Sequence, residues 1–311
     1  MTMSDRYAAA TVEASDLLRW RSPLRAELWA SRLVAGFEEG EDTGRAFVER
    51  VSGDRSPEAA LMAAALTAVG VAAAAGTAGP GWLARMGRVT CDGAWYGRGD
   101  AFGEQVLGAL RFRYADGKEP HVLVVALDQV HGGIAVDATV EEPKFLDDLS
   151  LGAEEPGVVA ARVLEGLSLR EMVLDAPAAD TFAAVRAFAR ARAGVVPGAG
   201  FHAGGGAALP ELPDVPGAEE AFGVLAEFVG DRILWWSPAR VSAFLTAWLP
   251  REAILSEAAV AAMPEVVRAW TRQAGDEPAV HRQIDLDAPE LPRRMADESL
   301  AGLRKRLRLQ G

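Results

Sequence analysis

The sequence predicts an α+β protein, an antiparallel β-meander flanked by N- and C-terminal α-helices, and three observations carry that prediction. Apolar residues recur at helical spacing before Gly87, alternation of period two with glycine turns runs from Gly87 to Val140, and helical spacing returns after Val158. With 311 residues, half of them hydrophobic, the chain is long enough to bury a substantial core as one large domain or two ordinary ones. Four stretches are expected: an N-terminal helical part (1–86), an antiparallel sheet with following helices (87–194), a Gly/Pro-rich loop or linker (195–217) and a C-terminal helical part (218–311).

Residues 16–78 are expected to form two or three packed helices. In "SPLRAELWASRLVAGF", Ser22 takes the N-cap and Pro23 the first helical position, where a missing N–H costs nothing. Ala26, Ala30, Leu33 and Phe37 then share a face. Ser56, Pro57 and Glu58 repeat the device. The run from Ala59 to Trp82 is rich in Ala and Gly and lacks basic anchors, so it reads as a buried helix and not as a membrane span.

In "VLGALRFRY", Val106, Gly108, Leu110, Phe112 and Tyr114 fall on one side of a strand. Asp116-Gly117 then signals a tight hairpin into "HVLVVALD", which is apolar on both faces and so reads as a central, covered strand. A further strand, "IAVDA", follows Gly132-Gly133. Helices resume in "VVAARVLEGL" and in "DTFAAVRAFARARAG", where Asp180 is expected to cap and Phe182, Val185 and Phe188 line one face. Val195–Gly217 holds too much Gly and Pro for a packed element. Its Gly204-Gly205-Gly206 lacks the strand before and the lysine after that a phosphate loop requires.

Toward the C-terminus, Ser237 and Pro238 open a helix carrying Val241, Phe244, Leu245 and Trp248, and Pro250 is expected to stop it. "MPEVVRAWTRQAG" supplies another, ending at Gly275. Trp235, Trp236, Trp248 and Trp270 are expected in the core. The likeness of "WRSPLR" to "WWSPAR" reads as shared capping, and "LRKRLRLQG" as a short basic amphipathic helix or tail with a solvated face.

A net charge of −12 argues against a nonspecific grip on nucleic acid or anionic membrane. Cys91 is the single cysteine, which excludes an internal disulfide and a thiolate zinc cage and fits a reducing cytoplasm. It is expected as a buried strand residue. The N-terminus has no apolar segment of signal-peptide length, so a cytoplasmic protein is expected. With four histidines (121, 131, 202 and 281) and no HExxH, no transition-metal site is expected and no cofactor is assigned. No G-x-S-x-G is present, and the serines before prolines are better used as caps.

The stretch "DQVHGGIAVDA" holds the candidate ligand-binding residues. If Gly132-Gly133 is a two-residue turn, Asp128 faces Asp137 across the ladder, and facing acids call for a bound cation, a raised pKa or solvent. Register arithmetic through Asp116-Gly117 adds Gln105 opposite Asp128 and sets Phe112 opposite His121. His131 lies near, but its odd offset from Asp128 would turn it to the other face. Mg²⁺ or Ca²⁺ at Asp128 and Asp137 is the one metal reading left. His121 is expected as a packed or strand-end histidine.

At "WWSPARVSAFLTAWLPREAILSEAAVAAMPEVVRAW" the chain resembles a helical segment of uncharacterised actinobacterial proteins, some described as plasmid pRiA4b ORF-3-like. Those run W-S-P, an apolar helix ending W-L-P-R, then P-E-V-V-R-A-W. The likeness covers 36 of the 311 residues, with looser likeness around "SPLRAELWAS" and "LDQVHGGIAVDA", and it implies no catalytic or binding residue. The expected function is that of an interaction or scaffold protein without catalytic activity, engaging a protein partner. The alternative is a small-molecule-binding protein or enzyme with an acidic site at Asp128 and Asp137.

Overall fold

A computed structural model describes residues 3–37, 41–71, 79–200 and 210–310. Residues 72–78 of the alanine-rich run, His202 and Gly204 to Gly206 lie outside the described residues. The fold is α+β, with helices from both ends of the chain and one antiparallel five-stranded sheet. The chain forms two compact units, the first of residues 1–97 and 107–202, the second of residues 98–106 and 203–311.

Unit 1 opens with α1 (Met3–Trp20), α2 (Pro23–Ala35), α3 (Glu41–Gly53) and α4 (Pro57–Ala68), where two or three helices were expected from residue 16. The extra length comes from Tyr7, Ala10 and Ala14, which share a helical face and are buried on it. Ser22 and Ser56 cap as predicted, their hydroxyls accepting the N–H of Arg25 (3.1 Å) and Ala59 (3.2 Å). Each such cap is worth about 1 kcal/mol. Among the described residues, no helix is long and apolar enough to cross a membrane.

The sheet comprises β1 (Val89–Arg98), β2 (Gln105–Tyr114), β3 (His121–Asp128), β4 (Ile134–Glu141) and the short β5 (Gly152–Ala153), in the order β4-β3-β2-β1-β5. Cys91 lies on a strand as expected but is only half-buried there, on β1. β3 is buried on both faces, as its unbroken apolar run requires. On one face lie α5 (Pro156–Glu171) and α6 (Phe182–Gly194), whose Val159, Val163, Leu167 and Phe182 pack with Leu110, Phe112, Leu123 and Val125. On the other, Phe145, Leu146 and Leu149 cover Ala109, Val122 and Val124. Helix α5 comes so close that a Cβ on Gly166 would lie 2.8 Å from the Gly133 carbonyl oxygen. Asp180 does not cap α6. Thr181 holds that position, and its hydroxyl donates instead to Asp137 at 3.4 Å.

Unit 2 contains α7 (Ala218–Val229), α8 (Pro238–Ala243), α9 (Leu249–Glu252), α10 (Glu257–Gln273), α11 (Pro278–Asp287), α12 (Leu291–Ala296) and α13 (Leu303–Gln310). Ser237 caps α8, so both W-x-S-P motifs use serine in the same way. Pro250 was expected to end this helix, yet the chain runs through a π-helical turn, Phe244–Trp248, into α9. The wider turn is how a helix absorbs a proline. The Thr246 carbonyl, which Pro250 has no N–H to meet, accepts Arg294 Nη1 at 3.4 Å. Trp236 and Trp270 are core residues, but Trp235 and Trp248 are only half-buried. The extra residue in the turn swings Trp248 by about 100° off the buried stripe of Val241, Phe244 and Leu245, and Trp235 sits in the turn before the cap.

Arg240 is buried with its guanidinium held by backbone carbonyls. Its guanidinium donates to the carbonyls of Val229 (3.0 Å), Arg232 (3.2 Å) and Trp235 (3.0 Å) and lies over the Trp235 ring, 4.1 Å from its centroid. The carbonyl ends of α7 thereby receive the cation that a helix C-terminus favours. Burial still pushes its pKa down to about 10. Residues 98–106 join the same unit: Phe102 accepts the Trp236 N–H at 2.8 Å, and Arg98 Nε donates to the Leu234 carbonyl at 2.8 Å.

Candidate functional site

The two acids of "DQVHGGIAVDA" do not face each other. Asp128 pairs with Ile134 and Leu127 with Ala135, but Ala126 pairs with Asp137, leaving Val136 as an extra residue on β4. That β-bulge corrects the expected register. The turn is also longer than two residues: it spans Gln129 to Gly133, is closed by Gly133 N–H to the Asp128 carbonyl (2.7 Å), and places Gly132 and Gly133 at positive φ. Asp137 bonds locally, accepting the Ala138 N–H at 2.8 Å. Gln105 is exposed at the start of β2, its backbone N–H held by Asp100.

The structure instead joins Asp128 to His131, which the sequence had set on opposite faces. His131 Nδ1 lies 2.7 Å from Asp128 Oδ2, and the His131 N–H donates to Asp128 Oδ1 at 3.1 Å. An irregular five-residue turn does not keep strand alternation, so the offset argument fails there. The carboxylate fixes the imidazole as an orienting acid does in general-base pairs, and the ring is more than half exposed. Among the described residues, no group of three or more His, Cys, Asp or Glu side chains could hold a metal ion.

The strongest polar assembly is one the sequence reading missed. Glu27 of α2, Tyr114 of β2, His121 of β3 and Arg192 of α6 are each at most 1 % exposed. One Glu27 oxygen takes the Arg192 guanidinium and the Tyr114 hydroxyl (2.9 Å); the other takes the Gly87 N–H (2.8 Å). Three donors mark Glu27 as a carboxylate, although burial pushes its pKa up against the pull of Arg192. Arg192 Nε donates to His121 Nε2 at 3.2 Å, and His121 Nδ1 lies 2.9 Å from the Glu119 carbonyl. Since that carbonyl only accepts, the proton sits on Nδ1 and the ring is neutral. Burial lowers the His121 pKa to about 4. The rings of Phe112, Tyr114 and Phe188 pack around it, so the expectation of a packed histidine holds.

Spacing gave a signal for this cluster. Glu27 and Ser31 are four residues apart on α2, Phe188 and Arg192 four apart on α6, and the two helices meet where the Phe188 N–H donates to Ser31 Oγ at 3.1 Å. A charged residue on an apolar stripe is the sign of a buried pair.

Open grooves flank the helices of unit 1. One, of about 730 Å³, lies between α1 and α2 against Trp20, Arg25 and Trp29. A second, of about 790 Å³, is lined by Trp20, Arg21, Trp82, Arg85, Lys118 and Glu119. Trp20 lines both and is 65 % exposed, with the Arg25 guanidinium 4.4 Å from its ring centroid. Arg21 and Glu119 hold left-handed backbone conformations (φ 52° and 49°), uncommon outside glycine, and the Ser22 hydroxyl bonds the Glu119 carboxylate across the groove wall. Neither Asp128 nor Asp137 lines these grooves. No protein-family model, curated protein or solved structure matches this chain.

Proposed function

We propose that the chain acts by binding, as an interaction protein that engages a macromolecular partner through unit 1. The observation that carries this reading is Trp20, an exposed indole shared by two grooves and backed by Arg25. Tryptophan and arginine dominate the energetics of protein interfaces because they combine large apolar area with directional polar contacts. The titratable cluster of Glu27, Tyr114, His121 and Arg192 is sealed from any substrate and ties α2, α6 and two strands together. A photo-cross-linking residue in place of Trp82 tests the proposal. A defined protein adduct in cells, lost on Trp20→Ala, is the expected result; no adduct at that position overturns it.

A second reading, a ligand site or enzyme in which Asp128 orients His131, is favoured by the 2.7 Å contact between them. Shifts of the His131 imidazole resonances on adding metabolite mixtures would support it. Resonances that stay in place would count against it.

A further inference from the structure

Helix α13 is turned the wrong way for a helix that ends at water. Lys305, the one lysine of "LRKRLRLQ", points inward at 7 % exposure and donates to the Pro250 carbonyl at 2.9 Å. Leu303 and Leu307, four residues apart on one face, stand outward at 76 % and 62 % exposure. An exposed leucine alone means little, but a helix that buries its lysine and exposes its leucine stripe has an outer face that suits a partner better than solvent. Gly302 fixes this orientation. Its N–H donates to the Arg251 carbonyl at 2.9 Å, and a Cβ there would lie 3.1 Å from the same oxygen, so the helix is pinned against α9.

Beside the leucines runs an open groove of about 640 Å³ whose lining includes Phe228, Trp248 and Ile254. Its charged lining carries both signs: Arg304 and Arg308 from α13, Arg251 paired with Glu252 at 3.0 Å, and Glu227. Knob, hole, cation and anion therefore occupy one face of one unit. A surface holding both halves of a complementary contact is what a two-fold symmetric interface requires, because each residue of one copy must meet its counterpart in the other. We propose that this face of unit 2 binds a second copy of the chain, Leu303 and Leu307 of each entering the Phe228 and Trp248 groove of the other. In that arrangement Arg308 meets Glu227 across the two-fold axis. The proposal does not depend on Trp20 or on the reading of unit 1.

Analytical ultracentrifugation of the full chain from about 1 to about 100 µM tests it, since dimerisation follows mass action. A concentration-dependent dimer is expected. Leu303→Glu with Leu307→Glu should weaken it at least tenfold while leaving the circular dichroism spectrum and melting temperature unchanged, because both side chains face solvent in the single chain. Arg308→Glu and Glu227→Arg should each weaken self-association, and mixing the two variants should restore a dimer, since both copies of the interface then pair opposite charges. A wild-type chain that is monomeric throughout overturns the proposal. So does a dimer that survives the leucine substitutions, or a mixture no tighter than either charge variant alone.

Discussion

Arg192 Nε–H donates to His121 Nε2 over 3.2 Å, so a permanent cation is bonded to an imidazole that can accept it only while neutral. With the other ring nitrogen committed to the Glu119 carbonyl, protonating His121 would set two positive groups against each other in a dry site. Acid therefore acts on this protein at a definite place.

The first prediction is the resulting pH dependence. The folded-state pKa of His121 is lowered to about 4 from the ordinary value of 6.5, mainly by burial. Between those values the unfolded chain binds the extra proton and the folded chain does not. Stability is therefore full above the unfolded pKa and falls as pH drops from about 6.5 toward about 4, by a total on the order of 3 kcal/mol. Urea denaturation of wild type and His121→Gln at neutral and mildly acid pH should show the larger acid loss in wild type. Equal losses would refute the assignment.

Arg192→Leu should destabilise the protein by about 3–5 kcal/mol, because Glu27 would be left buried without its counter-ion, where it must either hold an uncompensated charge or take up a proton. Adding Glu27→Gln should return part of that loss. Chemical denaturation of both single variants and the double checks the coupling, and strictly additive losses would mean the two residues do not act as a pair.

Asp128→Ala should cost about 1 kcal/mol, since the carboxylate holds the His131 N–H and imidazole and so shapes the turn. The sign is the test. Had Asp128 faced Asp137, its removal would have relieved repulsion and raised the melting temperature.

Gly103→Ala should destabilise unit 2 by more than about 2 kcal/mol, a strain effect of the kind that produces the large single-site losses. Gly103 has φ +66°, and an added Cβ would lie 2.0 Å from the Leu234 carbonyl oxygen. Calorimetry would show the loss as a lowered melting temperature.

Features with local causes were legible in the sequence. Ser22, Ser56 and Ser237 cap because a serine before a proline satisfies an orphan N–H whatever the rest of the chain does, and β3 is central because its apolar run has no polar face to offer water. Features set by distant partners were not. Val136 bulges where the Ala179 N–H reaches its carbonyl at 2.9 Å, a contact made across 43 residues of chain, so no register count from Gly132-Gly133 could include it. Helical spacing places Glu27 and Arg192 on apolar stripes but cannot pair them, because each finds its counter-ion 165 positions away. Pro250 failed as a stop signal since Arg294, on α12, serves the carbonyl it leaves free.

Residues 98–106 give unit 2 a history as well as a shape. The ribosome releases this strip roughly one hundred residues before the helices that need it, so Phe102 and Arg98 must wait for Trp236 and Leu234 to emerge. Until then Gly103 has no neighbour to be close to, and β1 and β2 can pair without committing their tip. The same discontinuity means that a C-terminal fragment starting at residue 203 would lack part of its own fold, and that adding back a peptide of residues 98–106 in trans should raise its helix content.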